Sequence, residues 1–211
     1  MSWHLPTKMM TTALLLSVVA SARGTIYTEA FSPGALVPEG DPVGIVSAGN
    51  VADIPAGQTM VSLRVALNIS GGYNGDFVAD LISPSGIVVA LLNNPGVGIN
   101  GFGAGGAGMN IWLQAGTTDH GNIDAETGGG ILSGSYNPSA GNFSALAGES
   151  VSGTWNLLFA DMGSGGGAPT VNSWSLEITS VPEPTPIALA CFLTFVVCRI
   201  GILRMRSGKI F

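Results

Sequence analysis

Between Val61 and Ile69 the chain alternates. Val61, Leu63, Val65, Leu67 and Ile69 are apolar, and Ser62, Arg64, Ala66 and Asn68 stand between them. A period of two puts the first set on one face of an extended strand and the second on the other, which fits a half-buried strand rather than an amphipathic helix. The same period returns in Phe77, Ala79 and Leu81, in Trp155, Leu157 and Phe159, and in Trp174, Leu176 and Ile178. Ser83-Pro-Ser-Gly86 is a turn, and the apolar run Ile87–Leu92 follows it, which predicts a hairpin. Short strands between Gly-, Pro- and Asn-rich turns predict an all-β fold, an antiparallel β-sandwich, over one domain from Arg23 to Ser180. Gly96–Gly108 and Gly163–Gly167 read as loops between strands. The polar stretch Gly116–Gly134 reads as cover for one end of the sandwich.

The two ends of the chain have another character. Met1–Ala22 has Lys8, an apolar run from Met9 to Ala20, and Ala20-Ser21-Ala22, the three parts of a secretory signal peptide. Signal peptidase is expected to cut between Ala22 and Arg23. At the other end, Val181-Pro-Glu-Pro-Thr-Pro186 precedes an apolar stretch over Ile187–Leu203 and then Arg204, Arg206 and Lys209. A stretch of about 17 residues is the lower limit for a membrane helix. Arg199 lies near its basic end, where a long side chain reaches the interface. The basic end predicts a cytoplasmic C-terminus, with everything before Val181 outside. The order of these parts resembles the PEP-CTERM sorting signal of bacterial exported proteins. That resemblance implies that an exosortase, a membrane-embedded cysteine transpeptidase, recognises Pro182, Glu183 and Pro184 and removes the tail. The expected route is export, a precursor anchored in the inner membrane, then the cell surface or extracellular matrix.

Charge follows the same division. Of the basic residues only Arg23 and Arg64 lie between the two terminal segments, whereas all 13 acidic residues lie between Glu29 and Glu183, a balance of −11. Such a surface repels nucleic acid and can attract divalent cations. Cys191 and Cys198 both fall in the expected membrane stretch, so the exported domain has no disulfide.

The order of pieces in the domain resembles the P domain (P/Homo B domain) that follows the catalytic domain of subtilisin-like proprotein convertases. Val37-Pro-Glu-Gly-Asp-Pro-Val-Gly44 is similar to the family's N-terminal Ile-Pro-Asp-x-Asp-Pro-x-Gly. Tyr73-Asn-Gly-Asp-Phe77 with Leu81-Ile-Ser-Pro-Ser-Gly86 is similar to its Tyr-x-Gly-Asp-Leu and Leu-x-Ser-Pro-Ser-Gly core. Gly148-Glu149 with Gly153-Thr-Trp-Asn-Leu157, and Asp161 with Asn172-Ser-Trp-Ser-Leu176, are similar to its two closing strands. The resemblance implies a jelly-roll β-sandwich. Gly71 and Gly72 stand where the family often has His-Thr, and Gln114 where an acidic residue is common.

Catalytic machinery is sparse. A Ser-His-Asp mechanism needs a histidine base beside the serine. His120 is the histidine outside the signal segment, it sits in the polar run Asp119-His120-Gly121-Asn122, and no serine-nucleophile motif accompanies it. Both thiols lie in the membrane stretch. Asp119, Asp124 and Glu126 are close in the chain and leave a carboxylate pair open. Calcium takes carboxylate, carbonyl and water oxygens. Asp41, Asp76 and Asp161 lie in three of the matching segments beside glycines and turns, and some P domains bind calcium, so these three are the expected calcium ligands. The alternative for Asp76 is a turn-capping role. The expected function is that of an exported, non-catalytic module binding extracellular polysaccharide or protein. The other reading is an accessory or remnant P domain of a secreted subtilisin-like serine endopeptidase, working with a separate catalytic subunit.

Overall fold

The computed structural model of the chain describes residues 23–52, 54–55 and 57–183. The expected signal peptide up to Ala22, the sorting residue Pro184 and the expected membrane helix lie outside the described residues. Among the described residues no helix is long and apolar enough to cross a membrane.

The fold is all-β, in two sheets. The six-stranded sheet runs β1 (Thr25–Phe31), β10 (Thr170–Pro182), β4 (Gln58–Ser70), β7 (Gly108–Gln114) and β8 (Leu132–Tyr136), with the short β2 (Ala35–Leu36) also paired to β10. The four-stranded sheet runs β3 (Asp41–Val51), β9 (Gly153–Asp161), β5 (Phe77–Ile82) and β6 (Val88–Asn93). The expected hairpin is β5–β6, closed by Gly86 N–H donating to Ser83 O at 2.9 Å.

The alternating residues meet between the sheets. Phe77, Leu81, Trp155, Leu157, Phe159, Leu176 and Ile178 are fully buried, and Trp174 nearly so. A side chain of this size stabilises by about 1.5–3 kcal/mol on burial. Each buried indole N–H finds an acceptor, as a buried donor must. Trp155 Nε1 donates to Val151 O at 3.0 Å, and Trp174 Nε1 donates to Ser47 Oγ at 2.9 Å, the latter linking β10 to β3 across the core.

Three features differ from expectation. Val61 faces solvent, and Met60 takes the buried place. Ser62 pairs with Thr179 and Met60 with Ser180, so Val61 is the extra residue of a β-bulge, which reverses the alternation from that point. On β6, Leu91 and Leu92 are both buried because a second bulge falls between the Ala79–Leu92 and Asp80–Ala90 pairs. Finally, not every neighbour is antiparallel: β8 lies within the polar stretch Gly116–Gly134 and beyond, and pairs parallel to β7. A parallel pair needs a long crossover. Here Ala115–Ile131 provides it, plugged into the core by the fully buried Ile123. The glycine-rich Gly96–Gly108 contains one short helix (Val97–Asn100) and ends as β7 begins.

Candidate functional site

Two regions carry chemistry. The first is the end of the sandwich where β3 starts and β9 finishes. Cross-strand register sets Asp41 opposite Asp161, and Asp161 opposite Phe77, the residue after Asp76. Between Asp41 and Ile45 the register against β9 slips, and Gly44 takes up the excess at φ +59° with its backbone against Phe159 O. A glycine is required there for conformation and for space.

Asp161 is 1 % exposed. Its Oδ1 accepts from Gly163 N–H at 3.3 Å, while its buried Oδ2 has no hydrogen-bond partner. Burial raises its pKa above the ordinary carboxylate value. The Gly163 hydrogen bond opposes this, and the charges of Asp76 and Glu39 add to it. Burial also raises Asp76. The Asp76 carboxylate lies directly over Gly163, leaving no room for a Cβ. Asp41 turns inward on its own loop, its Oδ1 accepting from Val43 N–H at 2.9 Å.

Glu39, absent from the expected set, belongs to this end. Its Oε1 accepts from Gly165 N–H and, at 2.9 Å, from Gly167 N–H. Those amides hold its pKa below the ordinary value. Its sequence signal is a glycine run facing a carboxylate far away in the chain. Asn74, fully buried, locks the neighbouring loops: its amide donates to Gly105 O and Gly130 O, and its Oδ1 accepts from Gly108 N–H at 2.9 Å. Among the described residues no three His, Cys, Asp or Glu side chains converge as a metal-holding group. Asp161 lies within electrostatic reach of Asp76 and Glu39, and the strand register sets Asp41 opposite it. An orphaned, buried carboxylate oxygen beside a second carboxylate is chemically suited to a hard cation.

The His120 backbone N–H donates to Ser135 O at 3.1 Å, and among the described residues no hydrogen bond joins its ring to a serine or cysteine. It stacks on Tyr136 with ring centroids 4.4 Å apart, and its nitrogens lie 3.9 Å from Asp119 Oδ1 and 3.9 Å from Glu126 Oε2. Burial first, then the charge and hydrogen bond of Glu126, and then the charge of Asp119 push the Tyr136 pKa up to about 12. The loop acids hold local structure. Asp119 accepts from Ser135 N–H, Glu126 from Gly128 N–H, and Asp124 from Asn93 N–H and Ser139 Oγ–H.

The second region is the outward face of the six-stranded sheet. In register across it lie Glu177, Arg64 and Gln114, and in the next row Ser175, Ala66, Trp112 and Ser135. Arg64 Nη1 donates to Glu177 Oε1 at 2.9 Å, and the guanidinium stacks 4.4 Å from the Trp112 ring centroid. Beyond Gln114 strand β7 stops. The loop around Asn142–Glu149 then takes its place beside β4, with Met60 N–H donating to Glu149 O and Gly148 N–H to Met60 O. The gap left between strand end and loop is a groove of about 480 Å³, floored by the bulged Val61 and edged by Arg64, Gln114, Asn142 and Phe143.

The chain has structural likenesses at low identity. No protein-family model matches it, and no curated protein matches it. A serine protease of Aeromonas sobria, in complex with the chaperone ORF2, aligns at TM-score 0.46 and 15% identity over 75% of this chain and 28% of that one. The same serine protease on its own aligns at TM-score 0.43 and 16% identity, over 74% of this chain and 27% of that one. This chain thus spans little more than a quarter of either.

Proposed function

We propose that this chain is an exported, surface-sorted, non-catalytic binding module, a jelly roll of P-domain type that associates with the extracellular matrix or envelope. One observation carries the reading. Strand β10 starts at the acidic end, where Thr170 pairs with Ser70, and finishes at the opposite end, where Pro182 pairs with Gln58. A strand of that length spans about 40 Å. Pro182 and Glu183 stand exposed there, Glu183 held by one backbone bond from its N–H to Gly57 O at 2.7 Å. A sorting enzyme can reach them without disturbing the core, and a tail anchored in the membrane leaves the acidic loops pointing away from it. The non-catalytic reading is consistent with Asp119, Asp124 and Glu126 each accepting local hydrogen bonds. In this reading calcium occupies the acidic end, with Asp41, Asp76 and Asp161 as its carboxylate ligands, and stabilises the loops.

Intact-mass analysis of the exported protein tests the sorting claim. Wild type should start at Arg23 and lack the basic tail, and Glu183→Ala should retain the tail. Equal amounts of tail-free protein in both would remove the claim. The purified full chain should not turn over peptides. Peptide cleavage lost on His120→Ala would overturn the non-catalytic reading.

A further inference from the structure

We infer that the outward face of the six-stranded sheet and the groove at its edge bind a neutral polysaccharide. The inference rests on the binding-module reading and names its ligand class and site. Three observations converge on it. First, the face is electrically quiet in a chain whose exported part carries −11. On its strands Arg64 and Glu177 neutralise one another at 2.9 Å, Asp119 and Glu149 stand only at its edges, and Asp76, Asp161 and Glu39 gather at the end away from the groove. An anionic chain would meet the repulsive field of the whole module, and a neutral one would not.

Second, the face offers what a sugar uses. Trp112 is partly exposed between the short in-register neighbours Ala66 and Ser135, with Arg64 over its ring. Arg64 stacked on it fixes the plane. An aromatic ring takes the C–H face of a sugar, and amides beside it take hydroxyls as both donors and acceptors. Asn110 stands in the next row opposite Asn68, whose Oδ1 already accepts from Asn172, and Gln114 stands beside Arg64 across the strand pair.

Third, the face does not end at a wall. Gln114 and Arg64 form the lip of the groove, so a chain lying across Trp112 continues into a recess of about 480 Å³ with Val61 and Phe143 below and Asn142 at the rim. The recess is half open to solvent, with an apolar floor and a few polar groups around it, as a chain passing along it would need. The bulge at Val61 turns an apolar side chain outward into the recess, which gives a reason for the exposed valine that core packing does not supply.

The test is native electrophoresis of the full chain through gels containing hydroxyethyl cellulose, soluble starch or galactomannan, with alginate as the anionic comparison. Retardation is expected in at least one neutral gel and not in alginate. Trp112→Ala should weaken it by roughly tenfold or more, about the 1.4 kcal/mol that a factor of ten represents. Asn142→Ala at the groove rim should weaken it less, and Phe102→Ala, on an exposed loop beside Gly75, should leave it unchanged. Thermal melting checks that each variant is folded, and Asn142→Ala carries the test if Trp112→Ala is not. No retardation in any neutral gel, stronger retardation in alginate, or full retardation of folded Trp112→Ala and Asn142→Ala would each overturn the inference. The last result would leave the binding-module reading standing with its site elsewhere. Peptide turnover, by contrast, would sink that reading itself.

Discussion

The acidic end and the neutral sheet face are built by opposite means. At the acidic end the backbone does the positioning: glycines bring loops within contact, and carboxylates lie where their neighbours give them no counter-charge. Asp161 is buried with one oxygen unsatisfied. On the sheet face the strands do the positioning, and each charge has its partner across the register. The first region is under electrostatic stress that a cation would relieve. The second pairs its two charges, although Arg64 Nε is itself buried without a hydrogen-bond partner, and it presents groups for hydrogen bonding. In the proposed reading a cation at the acidic end would serve the fold, and the sheet face would serve the ligand.

Glycine substitution should separate the two regions most sharply. Gly44→Ala drives a Cβ into Phe159 O and the Ala160 backbone at φ +59°. It must pay the left-handed strain, about 1–2 kcal/mol, and displace backbone as well, so a total loss of about 3 kcal/mol or more is expected. Gly148, in the loop beside the groove, has φ +83° and nothing within 4 Å of an added Cβ. Gly148→Ala should cost the conformational strain alone, about 1–2 kcal/mol. Urea unfolding of both variants measures the difference, and equal losses would mean that the acidic end yields as easily as the groove loop.

Calcium comes next in size. A cation that binds the folded state alone stabilises it by about 2.7 kcal/mol at a hundredfold excess over Kd. In a domain of this size that is a rise of several degrees in Tm. Asp76→Asn should abolish most of the rise, and Arg64→Ala on the other face should not alter it. Identical calorimetric traces in calcium and in chelator would make the acidic end a strained turn and nothing more.

The reach of the sequence differs between the regions in the same way. Alternation showed the inward faces of β5, β9 and β10 because a buried strand face must be apolar, and Phe77, Trp155 and Trp174 lie where it puts them. It misplaced Val61 because the bulge depends on how many residues β10 sets against β4, which one strand alone does not reveal. Strand β8 was hidden because Leu132-Ser-Gly-Ser-Tyr136 has apolar residues only at its ends and pairs parallel across a long crossover. At the acidic end, family resemblance pointed to Asp41, Asp76 and Asp161. Glu39 escaped because its partners, Gly165 and Gly167, meet it only in the folded chain. Arg64 was legible as an outward residue, but its stacking on Trp112 needs the β4–β7 register.

Titration should give a smaller effect of definite sign. Burial raises Asp161, Asp76 and also Asp80 on β5. These groups bind protons more tightly folded than unfolded, so their contribution is fully present below the ordinary carboxylate pKa and is lost as pH rises through the raised folded values. Glu39 has the opposite sign: its lowered pKa gives a contribution that is lost as pH falls through it. In chelator, the urea midpoint should therefore fall as pH rises from about 4 towards 7, and Asp161→Asn should flatten the slope. Saturating calcium should reverse the trend, since a metal needs the carboxylates deprotonated. A midpoint in chelator that climbs through this window would contradict the account of the buried acids.

The smallest effect belongs to the neutral face. Arg64 and Glu177 are partly exposed, at 37% and 27%. Such a pair contributes about 0–1 kcal/mol, and a cation over an exposed indole about 0.5–1 kcal/mol. Double-mutant cycles of Arg64→Ala with Glu177→Ala, and of Arg64→Ala with Trp112→Ala, should return couplings within those limits. Raising the salt to about 1 M shortens screening to about 3 Å and should erase most of the first coupling. The second depends on close stacking and should persist. A Glu177 coupling above about 2 kcal/mol would make the pair a structural clamp like those of the acidic end, and the contrast between the regions would fail. A small, salt-sensitive coupling leaves Glu177 the role the comparison gives it, cancelling the charge of the guanidinium that steadies Trp112.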